Sequence, residues 1–120
     1  MNEDALPVPV RISEGLAPMA ASLADQLGAD FDVAVEPPGA NGIAVVAALG
    51  REAVAFMRAQ HPRAVLLVVK RGPNGHNDSA VDYLHAGADQ YLETTSTVEI
   101  SSHIRSLGRR LHRASQRPDG

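Results

Sequence analysis

Two stretches of the chain are apolar almost without interruption. Ile43-Ala-Val-Val-Ala-Ala-Leu49 is bounded by glycines, and Arg63-Ala-Val-Leu-Leu-Val-Val69 follows a break at His61-Pro62. Short runs of this kind suit strands buried on both faces, as in a parallel sheet. Phe31 to Val35 alternates apolar with polar or small residues and reads as a further strand, and Gln90-Tyr-Leu-Glu93 as a short one. Pro7-Val-Pro-Val-Arg-Ile12 reads as the first strand, although its two prolines restrict full pairing to Val10 to Ile12. Between these runs the spacing turns helical. Leu16, Met19, Ala20, Leu23 and Leu27 repeat at helical intervals and Gly28 stops them. Arg51 to Gln60 carries Ala53, Val54 and Met57 on one side. Asp78 is placed to cap a helix that ends at Gly87. Ser96-Thr-Val-Glu99 is a capping box, and the last helix carries Ile100, Ile104, Leu107 and Leu111 as one narrow stripe.

Strands alternating with helices predict an α/β domain. Its form is a flavodoxin-like, doubly wound parallel sheet of four to five strands. One helix is missing from that plan. Glu36-Pro-Pro-Gly-Ala-Asn-Gly42 is a loop by composition and leaves no helix between the second and third strands. Seven extended residues at ~3.3 Å each still reach across a sheet. A competing reading makes residues 43–60 a single helix, since Ile43, Val46, Gly50, Ala53 and Met57 also fit that period. Gly50 and the all-apolar run before it favour a strand followed by a helix.

Composition narrows the setting. The 120 residues suit one domain with a single packed core. There is no cysteine, which excludes disulfides and thiolate metal sites. No apolar run approaches a membrane span, and the acidic start is not a signal peptide, so a soluble, cytoplasmic protein is expected. Charge is uneven. Residues 1–50 hold Glu3, Asp4, Glu14, Asp25, Asp30, Asp32 and Glu36 against the single base Arg11. Bases gather late, at Arg105, Arg109, Arg110, Arg113 and Arg117, where they complement a helix dipole. Four aromatic residues make no base-stacking platform for nucleic acid.

The order "RAQHP" helix end, "VLLVV" strand, "HAGADQYL" turn and terminal amphipathic helix resembles a response-regulator receiver domain, most strongly over residues 51–113. The resemblance implies a receiver-like domain over 1–113, with 114–120 as a tail or the start of a linker. A working receiver forms an acyl phosphate on an aspartate and holds Mg²⁺ beside it with an acidic pair. Carried over position by position, that acidic pair falls on Ser13 and Glu14, of which only Glu14 is acidic. The nucleophile falls on Ala47 or Ala48, neither of which can be phosphorylated. The phosphate-reading hydroxyl falls on Val69, and the lysine on Thr94, followed by Thr95 in place of proline. Were residues 43–60 one helix, the nucleophile position would fall within Val65 to Lys70, which also lacks a carboxylate. The resemblance is therefore to a degenerate, pseudo-receiver domain that carries out no phosphotransfer and is no enzyme.

Receivers commonly pair through their last helix–strand–helix face. Here that implies Asp82, His85, Asp89, Tyr91 and Glu93 set against Arg105, Arg109 and Arg110, an arrangement suited to a two-fold homodimer. The expected role is a dimerisation or protein-contact module in signal transduction, such as transcription regulation. A DNA-binding domain would follow residue 120 in a longer parent chain. An alternative is a small-molecule sensor using the apolar mouth at Ala47, Ala48 and Val69. A flavodoxin-like enzyme is a weaker alternative, because only Glu14, Lys70 and Thr94 offer polar groups at strand ends. The histidines His61, His76, His85, His103 and His112 have no helical metal spacing, so no metal and no cofactor is expected. Gly72-Pro-Asn-Gly75 reads as a turn, with an anion cradle as its functional alternative.

Overall fold

The computed structural model describes the backbone of residues 7–73 and 75–116, with side chains as far as Leu111. Five parallel strands form one sheet in the order β2-β1-β3-β4-β5. They are β1 (Val8–Ile12), β2 (Phe31–Val35), β3 (Ile43–Ala47), β4 (Val65–Lys70) and β5 (Gln90–Glu93). The helices are α1 (Ala20–Leu27), α2 (Arg51–Gln60), α3 (Ala80–Ala86) and α4 (Thr97–Gln116). This is the flavodoxin-like plan with five strands. Gly50 separates β3 from α2, so residues 43–60 are not one helix.

Each face of the sheet has its own core. On one, Val10, Ile12, Ile43, Val45, Leu67 and Val69 pack against Leu23 and Leu27 of α1 and Ile100, Ile104 and Leu107 of α4. On the other, Ala44, Val46, Leu66 and Val68 pack against Val54 of α2 and Tyr83 of α3. β3 and β4 feed both cores, which is why their sequences do not alternate. Val10 to Ile12 pair with strands on both sides, whereas Val8 and Pro9 pair only with β2. The prolines thus lie where a missing ladder bond is tolerated.

The missing helix has a physical account. Val8, Val10, Phe31 and Val33 point into the first core. Strand alternation then turns Pro9, Arg11, Asp32 and Ala34 to the opposite face. Half the sheet is therefore polar where a helix would otherwise sit. Arg11 covers that face. Its guanidinium donates to the Asp32 carbonyl at 2.7 Å and pairs with the carboxylates of Asp32 and Glu36, each at 3.3 Å. The only base in the first fifty residues is thereby matched to two of their acids. The link back to β3 passes close over Pro9. At Gly42 (φ 92°) a Cβ would lie 2.7 Å from the Pro9 carbonyl oxygen.

Other local details depart from the sequence pattern. Residues Glu14–Met19 form a 3-10 turn before α1, and Pro18 lies inside it. The N-cap of α3 is Ser79, in a reciprocal capping box with Asp82, and not Asp78. Asp78 instead accepts the Arg51 N–H at 2.7 Å, at the start of α2. At α4 half of the expected box forms, with Glu99 N–H donating to Ser96 Oγ. Thr94 Oγ1 takes the Ser96 N–H. α4 continues past residue 113 to Gln116, because no glycine or proline stops it before Pro118. The tail boundary drawn at 114 therefore lies inside the helix, and residues 117–120 fall outside the described part.

α4 is fixed to α1 by Gln26, whose amide donates to Thr97 Oγ1 and accepts from the buried Ser101 hydroxyl, both at 2.8 Å. The Gln26 carbonyl takes the Arg105 guanidinium. At the sheet's opposite end Arg58 collects five acceptors. These are the carbonyls of His61, Pro62, Ala64 and Gly87 and the Asp89 carboxylate at 2.8 Å. Hydrogen bonds to a charged group are worth roughly 1.5–3 kcal/mol, and exposed ion pairs less than about 1. Arg58→Ala should therefore lower unfolding stability by about 2 kcal/mol in urea titration, and Arg58→Lys should recover only part of it.

Candidate functional site

The C-terminal ends of the strands form the mouth of the sheet, where ligands of this fold class bind. Ala47 ends β3, and Val69 lies beside it in register on β4. Ser13, after β1, is turned inward. Its N–H donates to the Val45 carbonyl at 2.9 Å, and its hydroxyl accepts the Ala47 N–H at 3.2 Å. Gly15 lies against Ala47, for a Cβ there would sit 3.5 Å from the Ala47 methyl. Ala48 is buried, and its N–H donates to the Val69 carbonyl at 3.1 Å. Glu14 is exposed beside this group. The Ser13, Ala47, Ala48 and Val69 positions thus converge, but on an apolar patch closed by backbone bonds.

That patch offers no chemistry for group transfer. A methyl group has no lone pair with which to attack phosphorus. Among the described residues no three His, Cys, Asp or Glu side chains come together to hold a metal ion. The donor set does not fit Mg²⁺, since Glu14 has no second acid beside it.

Two adjoining depressions open at the mouth. One of about 380 Å³ is lined by Gly15, Leu16, Ala47, Ala48, Leu49 and Val69. The other, of about 410 Å³, is lined by Lys70, Glu93, Thr94 and Thr95. Arg71, Gly72 and Pro73 line both.

The expected contact face is only partly assembled. His85 and Glu93 are exposed. Tyr91 is half-buried, with its ring stacked on Tyr83 at 5.2 Å and its hydroxyl donating to Glu93 at 2.8 Å. Burial of the ring, then the Glu93 carboxylate, pushes the Tyr91 pKa up from its ordinary value. Asp82 and Asp89 are engaged within the chain, by Ser79 with Arg51 and by Arg58 with the Leu66 N–H. Arg105 is tied to α1 through Gln26. Four residues on, Arg109 follows it on the α1 side of the helix. His103 instead reaches Gln90 of β5 at 3.0 Å, so Arg110, one heptad further along, lies on the β5 side. Arg110 is thus toward the β5 edge, Arg105 and Arg109 are not, and Asp82 and Asp89 are turned to Arg51 and Arg58 of α2.

The sequence reading missed several residues that position this region. Tyr83 is buried and its hydroxyl accepts the Gly50 N–H at 2.9 Å. Val81 and Leu84 of α3 are exposed apolar residues on the face expected to make contacts. The helical period could have singled them out, because they fall off the Tyr83 side.

No protein-family model matches this sequence, and no curated protein matches it. Solved structures do match. A response regulator from Thermotoga maritima is 11% identical with a TM-score of 0.67, over 87% of this chain and 99% of that one. A Burkholderia pseudomallei protein described as pilus assembly-related is 13% identical with a TM-score of 0.64, over 91% and 95%. A response regulator of the same species, bearing a phosphorylated aspartic acid, is 17% identical with a TM-score of 0.59, over 91% and 73%. The chain also matches 28% of a longer NtrX chain from Brucella abortus. The fold is therefore that of response-regulator receiver domains.

One titration follows from the α3 cap. The Ser79 N–H holds the Asp82 carboxyl below its usual value, helped by the Ser79 hydroxyl and Arg51 and opposed by partial desolvation. A depressed folded-state pKa gives stability above the unfolded value, near 4, and loses it as pH falls through the folded value. Urea midpoints of the unchanged protein and Asp82→Asn should therefore differ at pH 6, and the difference should shrink as pH falls below the unfolded value near 4.

Proposed function

We propose that this protein is a phosphorylation-independent pseudo-receiver that acts by protein–protein contact in signalling, with transcription regulation as one setting. The observation that carries the reading is the end of β3. β3 ends in Ala47 and is followed by Ala48, on one or other of which we set the nucleophile position of a receiver; neither carries a carboxylate, and the Ser13 hydroxyl is spent on the Ala47 N–H. The likeness to a pilus assembly-related protein supports a contact role in settings other than transcription.

The contact surface we favour is the face made by α3, β5 and the β5 side of α4. Its apolar centre is Val81 and Leu84, 57% and 42% exposed. His85, Glu93 and Arg110 provide a polar rim. Apolar anchors within such a rim are what an interface needs. A two-fold homodimer would place Arg110 of one copy opposite Glu93 of the other.

Two measurements test this. Incubation with acetyl phosphate and Mg²⁺ should leave the intact mass unchanged, and a stable gain of one phosphoryl group would overturn the reading. Light scattering should give a dimer that Leu84→Glu converts to monomer. An unchanged protein that is already monomeric would remove the homodimer from the proposal.

A further inference from the structure

The basic side chains are not used evenly. Arg11, Arg51 and Arg58 stand in ion pairs, and Arg105 donates to a carbonyl. The side chains of Lys70 and Arg71, adjacent at the end of β4, have no hydrogen-bond or ion-pair partner among the described residues. Both line the larger depression, and Arg71 lines the smaller as well. Glu93 is the acid on the same rim, and its carboxylate already accepts the Tyr91 hydroxyl.

The two depressions differ in chemistry. The part on the β4–β5 side offers two cations and the side chains of Thr94 and Thr95. The part on the β1–β3 side offers Leu16, Ala47, Ala48, Leu49 and Val69. Because Arg71, Gly72 and Pro73 border both, a single ligand can lie across them. We propose that the mouth binds, without covalent chemistry, a small organic anion whose phosphate or carboxylate meets Lys70 and Arg71. Its apolar or planar body then lies over Ala47, Ala48 and Leu49. Arginine suits this role because its planar fork pairs with either oxyanion in two parallel bonds. An apolar floor with a few convergent polar groups is the usual make-up of a small-molecule site. The site goes beyond the contact role, for it gives the former phosphoryl-transfer region a different use.

Such a ligand would have a route to the contact face. Thr94 borders the anionic part and also accepts the Ser96 N–H at the start of α4. Glu93 borders it too, and holds Tyr91 on that face.

Calorimetric titration of the intact chain tests the site with four probes: inorganic phosphate, acetate, adenosine monophosphate and benzoate. The two probes with a planar body should bind at least tenfold tighter than the bare ion of the same charge group. Whichever of phosphate and carboxylate is preferred identifies the source of the anion. Arg71→Ala and Lys70→Gln should each weaken binding at least tenfold. Arg63→Ala removes an equally exposed cation at the opposite end of β4 and should leave it unchanged. No binding of any probe at millimolar concentration would overturn the site. So would equal weakening by Arg63→Ala and Arg71→Ala, which would mark simple charge attraction.

Discussion

The guanidinium of Arg58 ties together the base of this domain. It takes carbonyls from the end of α2 and the approach to β4, the Gly87 carbonyl after α3, and the Asp89 carboxylate before β5. Asp89 in turn accepts the Leu66 N–H. Four elements are thus set in register by one side chain whose hydrogen bonds to water are replaced by bonds to the protein. The geometry leaves no room for variation at Gly87. Its φ is 126°, and a Cβ there would stand 2.8 Å from the Arg58 side chain. Glycine is required both by the backbone conformation and by the arginine lying across it.

That knot joins two stretches that lie far apart in the sequence. "RAQHP" and "HAGAD" look like two separate fingerprints in the sequence. In the structure they are two halves of one contact, with Arg58, His61 and Pro62 on one side and Gly87 and Asp89 on the other. Both lie at the N-terminal ends of the strands they join. Phosphoryl chemistry in this fold lies at the opposite ends. The parts that hold the sheet are therefore mechanically independent of the parts that would react. Ala47 and Val69, at the mouth, take no part in the Arg58 contacts. Ala47 and Val69 in fact extend the first core to the rim of the sheet.

The central place of β3 and β4 was legible because both are apolar on both faces, whereas the order of the other strands left no mark in the sequence. The lack of a helix before β3 was legible from Glu36 to Gly42, and its cause lay in Arg11. One lone base among acids looked like a charge imbalance. It is in fact the cover of a half-sheet that has no helix, a fact that depends on which acids the register brings beside it. The contact face was less legible for the same reason. Asp82 and Asp89 look like free acids in sequence, yet each is claimed by a helix-capping or turn partner. Arg105 and Arg109 share a helix with Arg110, but helical phase sends them toward α1. Side-chain partners across thirty or more residues leave no periodic trace, so the pattern showed the helix but not the use of each arginine.

Thr94 brings these strands of the argument to one place. Its hydroxyl takes the Ser96 N–H and helps to start α4. The cations that border the mouth, Lys70 and Arg71, stand at the end of β4, one strand inward from the sheet edge. A charge on β4 cannot report directly to the terminal helix, whereas a charge after β5 could. What β4 can influence is its neighbour in register: Lys70 lies beside Glu93, and the Lys70 carbonyl accepts the Thr94 N–H at 3.0 Å. The neighbours of Lys70 are thus on the short edge strand and just beyond it. From there the stacked pair Tyr83 and Tyr91 leads into α3, and Thr94 leads into α4. The edge strand thus lies between the mouth and both α3 and α4, tied to them by hydrogen bonds and ring packing.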